Sequence, residues 1–232
     1  MHIKLFHHPV TRSARILWLL HELAPQLTFE VVPINLYRGD QYEPGFLKAF
    51  PFHSVPAVEI TLGDGARINM SESGAIVVAL ADLCPESRLA PVLESSPIGR
   101  SDYLQTIHLC GASFEMQLWQ IRIHKHVLRA ADRDERTVER YMNKFNNEVT
   151  PWLSERLWKG DFVCGENFTA ADCMVGYVAI WARSYGLCRT PQIDNYVQRL
   201  SSRPAFKLAF ADAREFNPAV PDNALVHSHF TG

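Results

Sequence analysis

Two cysteines in a C-x-x-C pair, an even cysteine set and an excess of either charge are all missing from this chain of 232 residues. The five cysteines, Cys84, Cys110, Cys164, Cys173 and Cys188, are odd in number and widely spaced. That argues against a disulfide framework and against a zinc ribbon, and a reducing cytoplasm is the simplest expected compartment. The formal net charge is −2. It divides as −2 over residues 1–92, from 7 Lys/Arg and 9 Asp/Glu, and as 0 over 93–232, from 16 of each. Neither half carries the basic footprint that a nucleic-acid partner requires. No apolar run has the length of a bilayer span. The opening Met-His-Ile-Lys-Leu-Phe does not have the basic-then-apolar layout of a signal peptide. No membrane partner is therefore expected.

What is present is an ordinary globular composition, 47% apolar and 21% charged, enough for a sizeable core. Residues 2–6 read as a strand. Residues 13–23, SARILWLLHEL, place Ile16, Leu17, Leu19, Leu20 and Leu23 near helical spacing, with Pro25 as a stop. Residues 28–34 read as a second strand whose Pro33 marks an edge. A short helix fits 42–49. A strand fits Ala57 to Ile60, a hairpin turn Gly63-Asp64-Gly65, and a returning strand Arg67-Ile68-Asn69. Residues 72–83 read as a helix. The order is β-α-β-α-β-β-α, a right-handed β-α-β unit joined to a terminal hairpin and helix. The first domain is placed at 1–84 and a Pro- and Ser-containing linker at 85–96. Only helices follow: 97–127, 135–158 with a kink expected at Pro151, one starting at Thr169, and two shorter ones at 191–200 and 204–213. The helical domain is placed at 97–216, and residues 217–232 form a tail. Thr169 with Asp172 has the spacing of a capping box.

Three short segments carry candidate chemistry. In "FHHPVTRSARILWLL" a strand gives way to a helix through Thr11, Arg12 and Ser13. Hydroxyls and a positive helix end there suit an anion or a thiolate, although Ser13 as a plain N-cap explains the same residues. In "HSVPAVEI" a cis bond before Pro56 would turn the backbone of Val55 outward to pair with a ligand as an added strand; a proline opening a strand is the plainer alternative. In "NMSESGAIVVAL" the helix start at Glu72 and Ser73 suits a carboxylate and an ammonium, or simple capping. Elsewhere, His124-x-His126 lies on a helix, where positions two apart diverge. His7-His8 and His227-x-His229 show no carboxylate or thiol partner in the sequence, so no metal is expected.

Taken together these segments resemble the cytosolic glutathione transferase family. "TRSARILWLLHEL" is similar to the family's S-R-S-x-R-x-L-W-L-L-E-E-L segment, "SVPAVEI" to its V-P-A-L strand, "SESGAI" to its E-S-x-A-I motif and "FTAADCMVG" to its S/T-x-A-D helix start. The resemblance covers residues 2–215 in the family's order. It implies an α+β fold, a thioredoxin-like first domain followed by an all-α helical bundle, with glutathione as cosubstrate and a homodimer. It implies that Val55 pairs with the cysteinyl backbone of glutathione, that Glu72 and Ser73 hold its γ-glutamyl end, and that Thr11, or else Ser13, hydrogen-bonds the thiolate. Asp172 matches the family's helix-capping aspartate, which implies a role in folding. The family's N-P-x-G-K-V-P is here FPFHSVP, with Phe50, His53 and Ser54 in place of Asn, Gly and Lys. The lysine contact to the glycyl carboxylate is lost, and His53 or Ser54 is left as its substitute. Residues 7–15 contain neither cysteine nor tyrosine, which disfavours the mixed-disulfide and tyrosine-type branches.

The function implied is transfer of the glutathione thiolate to small hydrophobic electrophiles. Lowering a thiol pKa from about 8.5 to about 6.5 takes about 2.7 kcal/mol. One charge-assisted hydrogen bond of about 1.5–3 kcal/mol and a helix end of about 0.3–1 kcal/mol supply that. Tyr103, His108, Phe114 and Trp119 are the candidate walls of the electrophile pocket. A glutathione-dependent lyase, isomerase, dehalogenase or peroxidase on the same frame, and a non-catalytic binding module, are the alternatives.

Overall fold

A computed structural model describes residues 1–24 and 26–214. The expected stop at Pro25, the tail from 217 and the His227-x-His229 pair lie outside the described residues. The chain divides into two compact units, Met1–Ser87 together with the segment from Pro204, and Arg88–Arg203.

The first unit runs β1 (His2–His7), α1 (Ser13–Leu23), β2 (Thr28–Pro33), α2 (Pro44–Ala49), β3 (Ala57–Thr61), β4 (Arg67–Ser71) and α3 (Ser73–Leu83). This is the expected βαβαββα order. The sheet order is β2-β1-β3-β4, with β1 parallel to β2 and the other pairs antiparallel. Pro33 closes the edge strand, where its missing N–H leaves no ladder bond unmade. The hairpin turns where Gly65 takes a φ of 86°, a value that needs no Cβ penalty only in glycine.

Ile3 and Leu5 of β1, Val58 and Ile60 of β3, and Ile16, Trp18, Leu19 and Leu20 of α1 are completely buried. Such a nearly all-round apolar helix needs cover on more than one side. Part of that cover is α9 (Pro204–Ala209), whose Phe206 meets the Trp18 ring edge-on at 5.0 Å. The expectation of one helical domain over 97–216 therefore differs from the structure at its end. The segment from Pro204 returns to the first unit because Trp18 offers an apolar face that Phe206 and Phe210 cover. The helix itself stops at Ala209.

The second unit contains α4 (Pro97–His108), α5 (Glu115–Arg122), α6 (Glu135–Lys159), α7 (Ala170–Ser184) and α8 (Pro191–Ser202). The single helix expected over 97–127 is instead α4 and α5 with wider π-type turns at Leu109–Phe114 and Ile123–Val127. One such turn contains Gly111. Helix α6 continues through Pro151, which is exposed. Val138, Phe145, Val149 and Leu153 form its buried face.

At the start of α7 the capping box is complete. Asp172 is fully buried. Its Oδ2 accepts from the Thr169 N–H at 2.8 Å, and its Oδ1 accepts from the Val163 N–H at 2.9 Å and the Tyr196 hydroxyl at 2.8 Å. Burial pushes the Asp172 carboxyl pKa up and that of Tyr196 well up.

Candidate active site

Register brings the three candidate segments to one end of the sheet. Phe6 of β1 pairs with Ala57 of β3, and Ala57 pairs with Ser71 of β4. The chain leaving β1 toward Thr11, the chain arriving at β3 through Val55, and the chain leaving β4 into Glu72 and Ser73 thus emerge side by side. With strands about 4.8 Å apart, the three lie across roughly 10 Å, the span of an extended tripeptide.

Each segment presents what its local conformation leaves unpaired. The Val55–Pro56 bond is cis. Val55 is half-buried, and its backbone makes no hydrogen bond among the described residues. Glu72 is exposed and takes a φ of 69°, an uncommon conformation for a residue with a Cβ and one that clusters at ligand sites. No side chain caps α3, and Ser73 is its buried first residue. A helix start without a side-chain cap leaves first-turn N–H groups of the kind that hold anions. His53 and Ser54 are exposed, and the His53 ring lies 5.0 Å from that of Tyr42. Phe50 belongs to the core with Ile34, Phe46 and Ala57.

At the head of α1 the helix opens at Arg12, with no side-chain cap, so Ser13 is not the N-cap. Its fully buried hydroxyl turns back toward β1. Ser13 Oγ lies 2.8 Å from His7 Nδ1 and 2.8 Å from Thr11 Oγ1. It also accepts from the His8 N–H at 3.2 Å. Thr11 is only part-buried, and its hydroxyl is also 2.7 Å from the His8 carbonyl oxygen. His7 Nε2 in turn contacts Asp212 Oδ2 at 2.8 Å. Burial lowers the His7 pKa against the raising effect of Asp212. It lowers His8 as well, against the raising hydrogen bond from Nδ1 to the Ile34 carbonyl.

Sequence reasoning passed over His7 because no partner was visible for it. Its carboxylate lies 205 residues further along the chain, beyond any local signal.

The second unit separates the four proposed pocket residues. Tyr103 is completely buried, and Phe114 is buried against the ring of Trp152 at 5.0 Å. Trp119 is half-buried and His108 exposed. His124 Nδ1 accepts from the Asp134 N–H, and His126 stacks on Tyr185. Among the described residues no three His, Cys, Asp or Glu side chains gather as a metal-binding group.

A thioredoxin-like sheet with three ligand-ready segments at one end, in a chain whose second unit is all helix, defines the class of a glutathione-transferase-type protein. Two family models match: the glutathione S-transferase N-terminal domain over residues 1–81 and the C-terminal domain over 135–206. The chain belongs to the glutathione S-transferase family.

Among curated relatives, it is 27% identical over 216 residues to the disulfide-bond oxidoreductase YfcG of Escherichia coli (strain K12), covering 91% of this chain and 96% of that one. It is 26% identical over 191 residues to a zeta class glutathione S-transferase of Euphorbia esula, covering 80% of each. Its fold is similar to that of a glutathione transferase family member of Pseudomonas fluorescens pf-5 crystallised with two glutathione bound, at a TM-score of 0.76, 22% identity and coverage of 90% of this chain and 92% of that one.

Proposed function

We propose that this protein binds glutathione along the sheet end formed by Thr11, Val55, Glu72 and Ser73, and holds its sulfur as thiolate for attack on an electrophilic carbon. The observation that carries the reading is the register of β1, β3 and β4, which lines up a hydroxyl, an open backbone edge and an uncapped helix start across roughly 10 Å. Thr11 is the hydroxyl in reach of solvent, so it is the one that donates to sulfur; Ser13 stands behind it. Val55 pairs with the peptide backbone, Glu72 takes the ammonium, and the first turn of α3 with Ser73 takes the γ-glutamyl carboxylate. His53 and Ser54, both exposed, take the glycyl carboxylate in place of the missing lysine. Of the four electrophile contacts, Trp119 and His108 keep accessible surface and are retained. A second copy of the chain as a homodimer partner and a cytoplasmic location complete the proposal.

A second reading is favoured by the 27% identity to a disulfide-bond oxidoreductase over 91% of the chain. With no cysteine in residues 7–15, the bound glutathione thiolate itself would attack a disulfide. One S–S bond then breaks, a mixed disulfide with glutathione forms, and the other half leaves as thiolate.

The experiment is a titration of bound glutathione by its thiolate absorbance, followed by turnover with a chloronitrobenzene and with a small dialkyl disulfide. Thr11→Val should return the bound thiol pKa toward that of free glutathione. An unchanged pKa removes Thr11 from the chemistry, and the faster of the two substrates decides between the readings.

A further inference from the structure

Behind the proposed sulfur site, four side chains form one continuous line. Thr11 Oγ1 is 2.8 Å from Ser13 Oγ, Ser13 Oγ is 2.8 Å from His7 Nδ1, and His7 Nε2 is 2.8 Å from Asp212 Oδ2. The outer end is part-buried, the two middle groups are buried, and Asp212 is 39% exposed at the inner end. Ser13 Oγ also ties the turn to the His8 N–H at 3.2 Å, but neither His7 nor Ser13 is the N-cap of α1.

The geometry points to His7, oriented by Asp212, as the proton acceptor for the thiol through the hydroxyls of Ser13 and Thr11. This rests on the reading that glutathione places its sulfur at Thr11. Asp212 fixes the tautomer: a carboxylate only accepts, so His7 carries its proton on Nε2 and presents a bare Nδ1 to Ser13. The resting order is then S–H to Thr11 Oγ, Thr11 O–H to Ser13 Oγ, Ser13 O–H to His7 Nδ1. In the transfer the S–H bond breaks, each hydroxyl gives up one proton and receives another, and an N–H bond forms at Nδ1. The products are a glutathione thiolate and an imidazolium, and every hydrogen bond in the line has reversed. The thiolate now accepts from Thr11, and the imidazolium donates to Ser13 at one side and to Asp212 at the other. No external acid or base enters.

The surrounding charges are consistent with that role. Burial keeps the free ring neutral but weakens it as a base, and the hydrogen bond and charge of Asp212 act against that loss. Once protonated, the ring lies beside the Asp212 carboxylate, with the thiolate at the other end of the line. Among the described residues, His8 also acts on this pair, itself under the charges of Asp212 and Asp40, while Arg12 and Arg15 lie on the adjoining turn and helix. The His8 carbonyl oxygen offers either hydroxyl another acceptor, at 2.7 Å from Thr11 and 3.1 Å from Ser13. For the line to run, the Thr11 O–H turns from that oxygen to Ser13 Oγ.

The test is nitrogen NMR of histidine-labelled intact protein. At neutral pH and without ligand, His7 should show a neutral ring with its proton on Nε2. Glutathione should convert it toward imidazolium, and S-methylglutathione, which has no thiol proton, should leave it neutral. In parallel, His7→Gln should lower the thiolate fraction of bound glutathione at neutral pH roughly tenfold, and Asp212→Asn should lower it less. Glutathione that binds by calorimetry while His7 stays neutral overturns the relay alone. Absence of glutathione binding overturns the site reading together with the relay. A ring that responds equally to both ligands shows that His7 senses occupancy and accepts no proton.

Discussion

A threonine stands at or just before the start of both α7 and α1, at Thr169 and Thr11, and the difference between the two separates a staple from the proposed site. At α7, Thr169 and Asp172 consume each other's capacity, and the carboxylate is used up by the Val163 N–H and the Tyr196 hydroxyl, all buried. At α1 the N-cap residue Arg12 makes no side-chain cap, and the Ser13 N–H reaches Thr11 Oγ1 only at 3.4 Å. Thr11 stays part-exposed, and its hydroxyl leads inward to a neutral histidine and then to a carboxylate. A closed start stabilises the fold. An open start with a connected interior offers a ligand a donor that communicates with a base.

The comparison breaks most visibly at the closed start. Asp172→Ala strands the Thr169 and Val163 amides and the Tyr196 hydroxyl, so urea denaturation should show a loss of about 3–5 kcal/mol. A loss below about 1 kcal/mol would mean that α7 does not depend on its box. At the open start the order of effects is reversed. Thr11→Val should change stability by less than about 1 kcal/mol and lower kcat/KM by about 10–100-fold, the value of one hydrogen bond to a charged sulfur. If stability falls and turnover does not, Thr11 is a second staple.

A further contrast is close approach without chemistry. A Cβ on Gly160 would sit 2.7 Å from the Gly165 backbone, so Gly160→Ala should cost about 1–3 kcal/mol by overpacking, read by the shift in urea midpoint, with the behaviour of bound glutathione unchanged.

The smallest effect is the response to acid, and its sign differs between the two starts. Burial lowers the His7 and His8 pKa values below the usual 6.5. Below 6.5 the unfolded chain therefore binds more protons than the folded one. The stability contributed by the neutral rings is present above 6.5 and is lost as pH falls through the window beneath it. Asp172 has the opposite sign: its pKa is raised, so its contribution is greatest in acid and declines as pH rises past the usual carboxylate value of 3.8. Denaturation of the parent protein and of His7→Gln at pH 7.5 and 5.5 should show the gap between them narrowing in acid. A gap that widens would reverse the assigned direction of the His7 shift.

Much of the fold is legible in the sequence because its signals are local. The alternation in β1 and β3, the Gly-Asp-Gly turn, the apolar stripe of α1 and the Thr169–Asp172 spacing each depend on neighbours within a few residues. The same holds for the three site segments, each recognisable as a turn, a strand start or a helix start. The long helix over 97–127 was harder to read, because π-type turns at Leu109–Phe114 and Ile123–Val127 shift the stripe by a residue at each passage. Tyr103 and Phe114, expected on a pocket wall, carry an aromatic pattern that serves a core equally well, and the structure buries both.

By itself, then, the sequence determined the order of strands, turns and helices in the first unit and the three segments with candidate chemistry, while the cis bond at Pro56 and the uncapped start of α3 were left open by it. Tertiary structure alone decided that Ser13 would face inward, that Phe206 would return to cover Trp18, and that Asp212 would meet His7 across 205 residues. Periodicity and capping are set by bonds between near neighbours, whereas a buried imidazole takes its partner from whichever distant segment the packing of the core delivers to it.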